Sequence, residues 1–256
     1  MIRRPPRSTL DRSSAASDVY KRQTSHSSYN TYHSWMWKRH AKSFDVVTYK
    51  ADNIQGRLLF HNLGVVPEMI WTKNRDTGYG WGVYHKGLNG GTNPEQYRLK
   101  LESDTTEAAD EYLWNNTAPT ASQVTLGNGS STNQNGTDSY LMLLFASVSG
   151  VSSVGFYTGN GNALGSSPKE ITTGFQSRFI LIKRTDADGH WRLFDTLRGI
   201  NISSLGGAND AQIDLNDTPI QDTSYNWVDV TSTSFKVNNF PSIGGSGSKY
   251  VYYAHA

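Results

Sequence analysis

Glu102, Asp104, Glu107, Asp110 and Glu111 crowd one short stretch of the chain. Two carboxylates held ~5–10 Å apart across a sugar are the machinery of a glycosidase. The matching stretch later in the chain lacks the cluster, so it reads as a surface acidic loop, with a helical turn favoured over residues 102–111 by the run TEAADE. A second acidic series suggests calcium: Asp186 and Asp188 beside Gly189, then Asp210, Asp214, Asp217 and Asp222. An EF-hand loop needs ligands at fixed positions and a distal glutamate. That order is missing, and the aspartates are expected to serve turns through hydrogen bonds to backbone. His26, His33, His40, His61, His85, His190 and His255 are scattered, without an HExxH pair. The position of His85 carries Asp195 in the later stretch, so it is not held for catalysis. Cysteine is absent, which excludes a thiolate nucleophile, a disulfide and a cysteine zinc site. No GxSxG elbow, Walker loop or dinucleotide fingerprint occurs, and the glycine-serine run at 244–248 reads as a turn. No catalytic residue, no metal ligand and no cofactor is assigned, and the chain is not expected to be an enzyme.

Aromatic side chains offer the other chemistry. They make up 12% of the chain, among loops rich in Asn, Asp and Gly. A ring exposed in such a loop stacks on a sugar. Trp114, Tyr225 and Trp227 are the candidate ligand contacts. Trp81 and Trp191 invite the same reading, but their recurrence at one place in an internal repeat favours a core tryptophan packed between sheets.

That repeat organises the rest. PEMIWTKNRDTGYGWGVYHKG from Pro67 matches SRFILIKRTDADGHWRLFDTLRG from Ser177. Lys73 and Lys183, Trp81 and Trp191, and Tyr140 and Tyr250 are each 110 residues apart. Each lysine sits at a strand end, where a solvated end or a local salt bridge is expected. WNNT from Trp114 is matched to LNDT from Leu215, and VTLGN from Val124 to FKVNN from Phe235. Tyr32 precedes Tyr49 by 17 residues, as Tyr140 precedes Tyr157, so residues 32–37 read as the last strand of a preceding copy. A unit of about 105–110 residues has the size of one sandwich domain. Complete domains in tandem are expected, like beads on a string.

The elements are short and β-forming. Strands are expected at 44–49, 57–61, 68–73, 81–85, 97–101, 112–114, 124–126 and 140–146, with Pro67 keeping 62–67 a loop. In the second copy, strands at 178–183 and 190–195 flank a turn in which Asp188-Gly189 supplies a positive φ.

Residues 1–23 stand apart. The string SSAASDVYKRQ, from Ser13, is the translation of a transposon-end sequencing adapter, and MIRRPPRST that of a flow-cell primer. This stretch is expected to be artefactual and disordered, and the remainder a metagenome gene fragment. The whole chain has 24 basic and 22 acidic residues. Taking away the six basic and two acidic residues of this stretch leaves 18 and 20, a net charge of −2. The basic balance therefore gives no reason to expect nucleic acid as a partner. The longest apolar run, 141–146, is far short of the ~18–20 residues that span a bilayer, so no membrane insertion is expected.

WMWKR at 35–39, FDVV at 44–47, HNLGVVPEMIWTKNR from His61, WGVYHKG from Trp81 and YLMLLFA from Tyr140 resemble repeated domains in structural and tail-fibre-type proteins of marine tailed phages. GFQSRFILIKR, WRLFDTLRG and YVYYAHA of the second copy resemble the same domain. Ser177-Arg178 departs from the proline-containing start of that strand, and His255 breaks the apolar closing strand. The resemblance implies an all-β chain of two tandem sandwich or jelly-roll domains, concanavalin- or laminin-G-like, at 44–150 and 151–256, after a remnant at 24–43. It also implies a virion location, other virion proteins and host-surface glycan as partners, and by analogy a homotrimer. The expected function is that of spacer or host-contact repeats of a tail fibre or adhesin-like protein. The alternative is a carbohydrate-binding module.

Overall fold

A computed structural model of the chain describes residues 34–200 and 209–256. The compact body is residues 38–256. The artefact-like stretch 1–23 and residues 24–33 of the expected remnant lie outside the described residues. Residues 34–37 form no strand, contrary to the expectation for 32–37. A strand exists only where a neighbour supplies the hydrogen-bond ladder.

The body is all-β. Its first half runs β1 (Phe44–Lys50), β2 (Arg57–Phe60), β3 (Met69–Asn74), β4 (Gly82–His85), β5 (Tyr97–Lys100), β6 (Ala108–Ala109), the single helical turn α1 (Glu111–Trp114), β7 (Gln123–Leu126) and β8 (Ser139–Phe145). The second half runs β9 (Ser152–Thr158), β10 (Lys169–Thr172), β11 (Phe179–Arg184), β12 (Arg192–Asp195), β13 (Gln212–Asp214), β14 (Val228–Val230), β15 (Ser234–Val237) and β16 (Lys249–His255). The large sheet of the first half has the order β1-β8-β3-β4-β5-β6, and that of the second β9-β16-β11-β12-β13. The small sheets are β2-β7 and β10-β15-β14. All sheets are antiparallel and open. In each large sheet the last strand of its half inserts between the first and third.

Alternation along the strands builds two cores. Ile70, Tyr84, Tyr140, Met142 and Leu144 of the first large sheet meet Leu59, Val124 and Leu126 of its small sheet, with Trp114 among them. Ile180, Phe194, Tyr250, Tyr252 and Ala254 meet Ile171, Phe235 and Val237, with Trp227 among them. A pair of tyrosines closes each core. Tyr49 stacks on Tyr140 at 5.4 Å and Tyr157 on Tyr250 at 5.0 Å. Their hydroxyls donate to loop carbonyls: Tyr49 to Thr132 at 2.6 Å, Tyr140 to Ser130 at 2.9 Å, Tyr157 to Ile243 at 2.6 Å and Tyr250 to Pro241 at 2.6 Å. Burial pushes the Tyr49 and Tyr157 hydroxyls well above the usual tyrosine range, so they stay protonated donors.

The other faces of the two large sheets meet each other. Phe145 lies 5.0 Å from Phe44, 5.0 Å from Trp71 and 5.2 Å from Tyr253 of the second half. His85 reaches the Tyr252 carbonyl, and the Trp191 indole N–H donates to the Lys100 carbonyl at 2.9 Å. The two halves therefore meet sheet on sheet. Apolar residues on both faces of β16, such as Val251 and Tyr253 opposite Tyr250 and Tyr252, are the cause.

Two local expectations change. The strand expected at 112–114 is the helical turn α1: Asp110 caps it by accepting from the Tyr112 N–H at 2.9 Å, and the turn swings Trp114 into the core. The helical turn expected over 102–111 forms only at its last residue, Glu111. Gly189 is not among the positive-φ residues. Its N–H donates across the seam to Asp104 instead.

Candidate functional site

Trp114 and Trp227, two of the three candidate sugar contacts, are core side chains at 1% and 6% exposure. Trp114 packs edge-on against Tyr84 at 6.0 Å, and Trp227 lies tilted against Phe194 at 6.3 Å. Tyr84 and Phe194 sit 110 residues apart, so Trp114 corresponds in space to Trp227, not to the Leu215 with which the sequence aligned it. Neither ring presents a face to a ligand. Both indole N–H groups are buried without a hydrogen-bond partner. Trp191 is buried, with its indole bonded to Lys100 of the first half, whereas Trp81 is only half-buried. The backbone N–H of each donates to a neighbouring side chain: Trp81 to Glu102 and Trp191 to Asn216, both at 2.8 Å.

Tyr225 is the exposed member, with half its surface free. It packs edge-on against Trp227 at 5.9 Å and Phe240 at 5.5 Å, and those two rings lie 4.5 Å apart. The backbone beneath is fixed by Asp210, whose carboxylate accepts from the Trp227 and Val228 N–H groups at 2.6 and 2.8 Å. Arg192 of β12 covers the Trp227 ring at 5.2 Å. It also donates to Asp214 at 2.6 Å and Gln212 at 3.1 Å on β13. The result is a half-exposed phenol on an aromatic base, with planar polar groups on β12 and β13 beside Trp227. Such a surface can stack on a sugar ring and bond its hydroxyls. This is the best-built candidate contact in the described residues.

The acidic cluster has another use. Residues 102–107 form a strap from the first half across the β11–β12 hairpin. Gly189 donates to the Asp104 carbonyl at 2.8 Å, Glu107 N–H to Thr185 at 3.0 Å, and Thr106 N–H to the Asp188 carboxylate at 3.0 Å. Lys183, expected at a solvated end, is fully buried under this strap. Its ammonium donates to the carbonyls of Asp104 at 3.1 Å and Arg184 at 2.7 Å. Burial pulls its pKa down to about 8 against the attraction of Asp104, Asp188 and Glu107. Lys73, its counterpart, is half-buried and donates to the Tyr79 carbonyl. Burial raises the Glu107 carboxyl above the usual range, although it accepts from the Asn89 N–H at 2.8 Å. The composition hinted at the strap, because the acidic cluster occurs in the first half without a match in the second. Nothing local in the sequence pointed to its partner hairpin.

The remaining candidates serve the fold. Asp186 pairs with Arg184 at 2.7 Å, Asp217 accepts from Thr218 N–H and Asp222 from Ser224 N–H. His61 and His85 repeat one motif: Nδ1 accepts the N–H two residues on, and Nε2 faces a distant carbonyl, Thr120 or Tyr252. His40 bonds the Ala41 carbonyl, His190 contacts Asn216, and His255 bonds the Ala256 carbonyl. His26 and His33 lie outside the described residues.

Compared with known proteins, residues 11–256 match a family model described as a domain of unknown function (DUF7483). The match begins inside the stretch that resembles translated adapter. No curated protein matches the chain, and no solved structure matches it either.

Proposed function

From a chain that belongs to the DUF7483 family, we propose a non-catalytic structural protein of a virus particle, built from two tandem copies of one concanavalin- or laminin-G-like sandwich. It acts as a spacer and host-contact element of a tail fibre or adhesin-like protein, in a homotrimer with other virion proteins around it. The observation that carries the reading is the likeness of the halves, which reaches several core side chains. The order of five strands in the large sheet, the stacked tyrosine pair, its loop carbonyls and the buried tryptophan each occur twice, although the first large sheet has a sixth strand and the second small sheet a third. A duplicated sandwich whose copies dock through their large sheets suits a load-bearing part. Two experiments test this. Mass spectrometry of the purified particle fraction from the source sample is expected to find peptides of this chain there; finding them only with cells overturns the virion reading. Light scattering is expected to give a trimer, and a monomer overturns that part.

The alternative is a carbohydrate-binding module, favoured by the exposed Tyr225 on its base of Trp227 and Phe240. A glycan array with residues 38–256 tests it. Saturable binding that disappears in Tyr225→Ala supports the site, and a well-folded protein with no binding removes it.

A further inference from the structure

His85 sits on β4, wholly buried, where the first half meets the second. Its ring has both nitrogens engaged. The Gly87 N–H donates to Nδ1 at 3.0 Å, and Nε2 lies 3.1 Å from the Tyr252 carbonyl on β16. An amide N–H can only donate and a carbonyl can only accept, so the proton is on Nε2 and the ring is neutral. One neutral imidazole thus ties a loop of the first half to the central strand of the second.

Neither neighbour can easily step aside. A Cβ placed on Gly87 would come within 2.5 Å of Phe156, because that ring from β9 lies over Gly87 and Gly91. The Tyr252 backbone is held in the ladder between β9 and β11. A proton on Nδ1 would point at the Gly87 N–H, break that hydrogen bond and bury a charge.

We propose that His85 is an acid-sensitive rivet, and that protonating it loosens the seam between the halves while each half keeps its own core. The charged groups acting on it are Lys86, beside it in sequence, and Glu68, before β3. These two pair with each other at 2.6 Å, so they leave little net charge to hold an imidazolium. From β16 it meets the Tyr252 carbonyl, and from β9 the Phe156 ring lies on the adjoining glycines. Burial lowers its pKa from 6.5 to about 4 in the closed seam. A buried neutral base favours the closed form above the open-state pKa, and that advantage is lost as pH falls from 6.5 towards 4. Glu107, raised by burial in the same seam, works in the opposite direction.

The test is amide exchange by NMR, read as protection factors from pH 7 to pH 4. The reporters of the seam are the Gly189 and Glu107 amides and the Trp191 indole, all bonded across it. Their opening is expected to rise over this interval, by up to about a hundred-fold from His85 alone, with Glu107 reducing the rise. The amides of the β11–β16 ladder are expected to hold, and His85→Gln is expected to abolish the acid loosening of the seam, leaving only the opposite effect of Glu107. An unchanged seam, an equal fall in His85→Gln, or simultaneous loss of the ladder each overturns the proposal. Should His85→Gln not fold, the imidazole of the wild-type protein decides. A ring that stays neutral to below pH 5 supports the rivet, and titration near pH 6.5 overturns it.

Discussion

Asn133 is fully buried beneath the loop between β1 and β2, and its amide makes every bond it can. Its Nδ2 donates to the Asp52 carboxylate at 2.8 Å and the Ile54 carbonyl at 3.0 Å. Its Oδ1 accepts from the Asp52 N–H at 3.0 Å and from Arg57 at 3.1 Å. Asn133→Ala removes all four. A hydrogen bond contributes about 0.5–1.5 kcal/mol net, and groups left buried cost more. Asp52 and Arg57 are partly exposed and recover water, which places the expected loss at about 2–3 kcal/mol. Asn133→Asp is worse, because it loses both donors and sets a second carboxylate against Asp52. Urea denaturation followed by tryptophan fluorescence measures this as a fall in midpoint at constant slope. By melting, the loss corresponds to roughly 4–12 °C for a body of this size. A loss below about 0.5 kcal/mol for Asn133→Ala, within the range of ordinary surface changes, would refute the claim that this side chain holds the loop. So would an aspartate variant as stable as the alanine one.

Other outcomes are equally direct. Gly87→Ala forces a Cβ into Phe156 and is expected to destabilise by about 1–3 kcal/mol; Phe156→Ala in the same chain should recover part of it in a double-mutant cycle. Trp114→Ala and Trp227→Ala are each expected to cost about 3–5 kcal/mol in urea titrations, whereas Tyr225→Ala should leave the midpoint nearly unchanged and affect only glycan binding. Lys183 has a pKa of about 8 when folded and 10.5 when free. The unfolded chain therefore holds more protons between these values, and stability should rise as pH goes from 8 towards 10. Lys183→Met should flatten that rise in denaturation curves recorded across the same interval.

Most strands could be read from the sequence because their signal is local. Pro67 stopped a strand, and β-branched and aromatic runs marked β1, β3, β8, β11 and β16 to within a residue or two. The 110-residue spacing of Tyr140 and Tyr250 drew attention to positions that share one structural environment, whereas that of Trp81 and Trp191 joins a half-buried ring to a buried one. What failed was non-local. Trp114 follows Asp110, a helix cap, and a short loop then returns to β7, so its spacing to Trp227 differs from the common 110. An exposed tryptophan and a core tryptophan have the same side chain, and only the neighbours Tyr84 and Phe194 tell them apart. Lys183 looked solvated because a strand end normally is; the strap that buries it comes from residues roughly 80 positions earlier. The docking of the halves was present in the apolar residues on both faces of β16, a pattern that also fits a strand buried within a single sandwich.

Insertion of the closing strand between the first and third strands of each large sheet has a consequence for synthesis. In the first half, β1 and β3 have no ladder between them until β8 leaves the ribosome, and β9 and β11 wait in the same way for β16. Up to that moment each half offers two unpaired strand edges, the kind of surface on which chains associate wrongly. The first half meets this hazard while the second is still being made. The strap, translated before the hairpin it grips, must also wait for its partner. This topology predicts folding in two late closures, and slowing translation just after β8 is expected to raise the yield of folded chain.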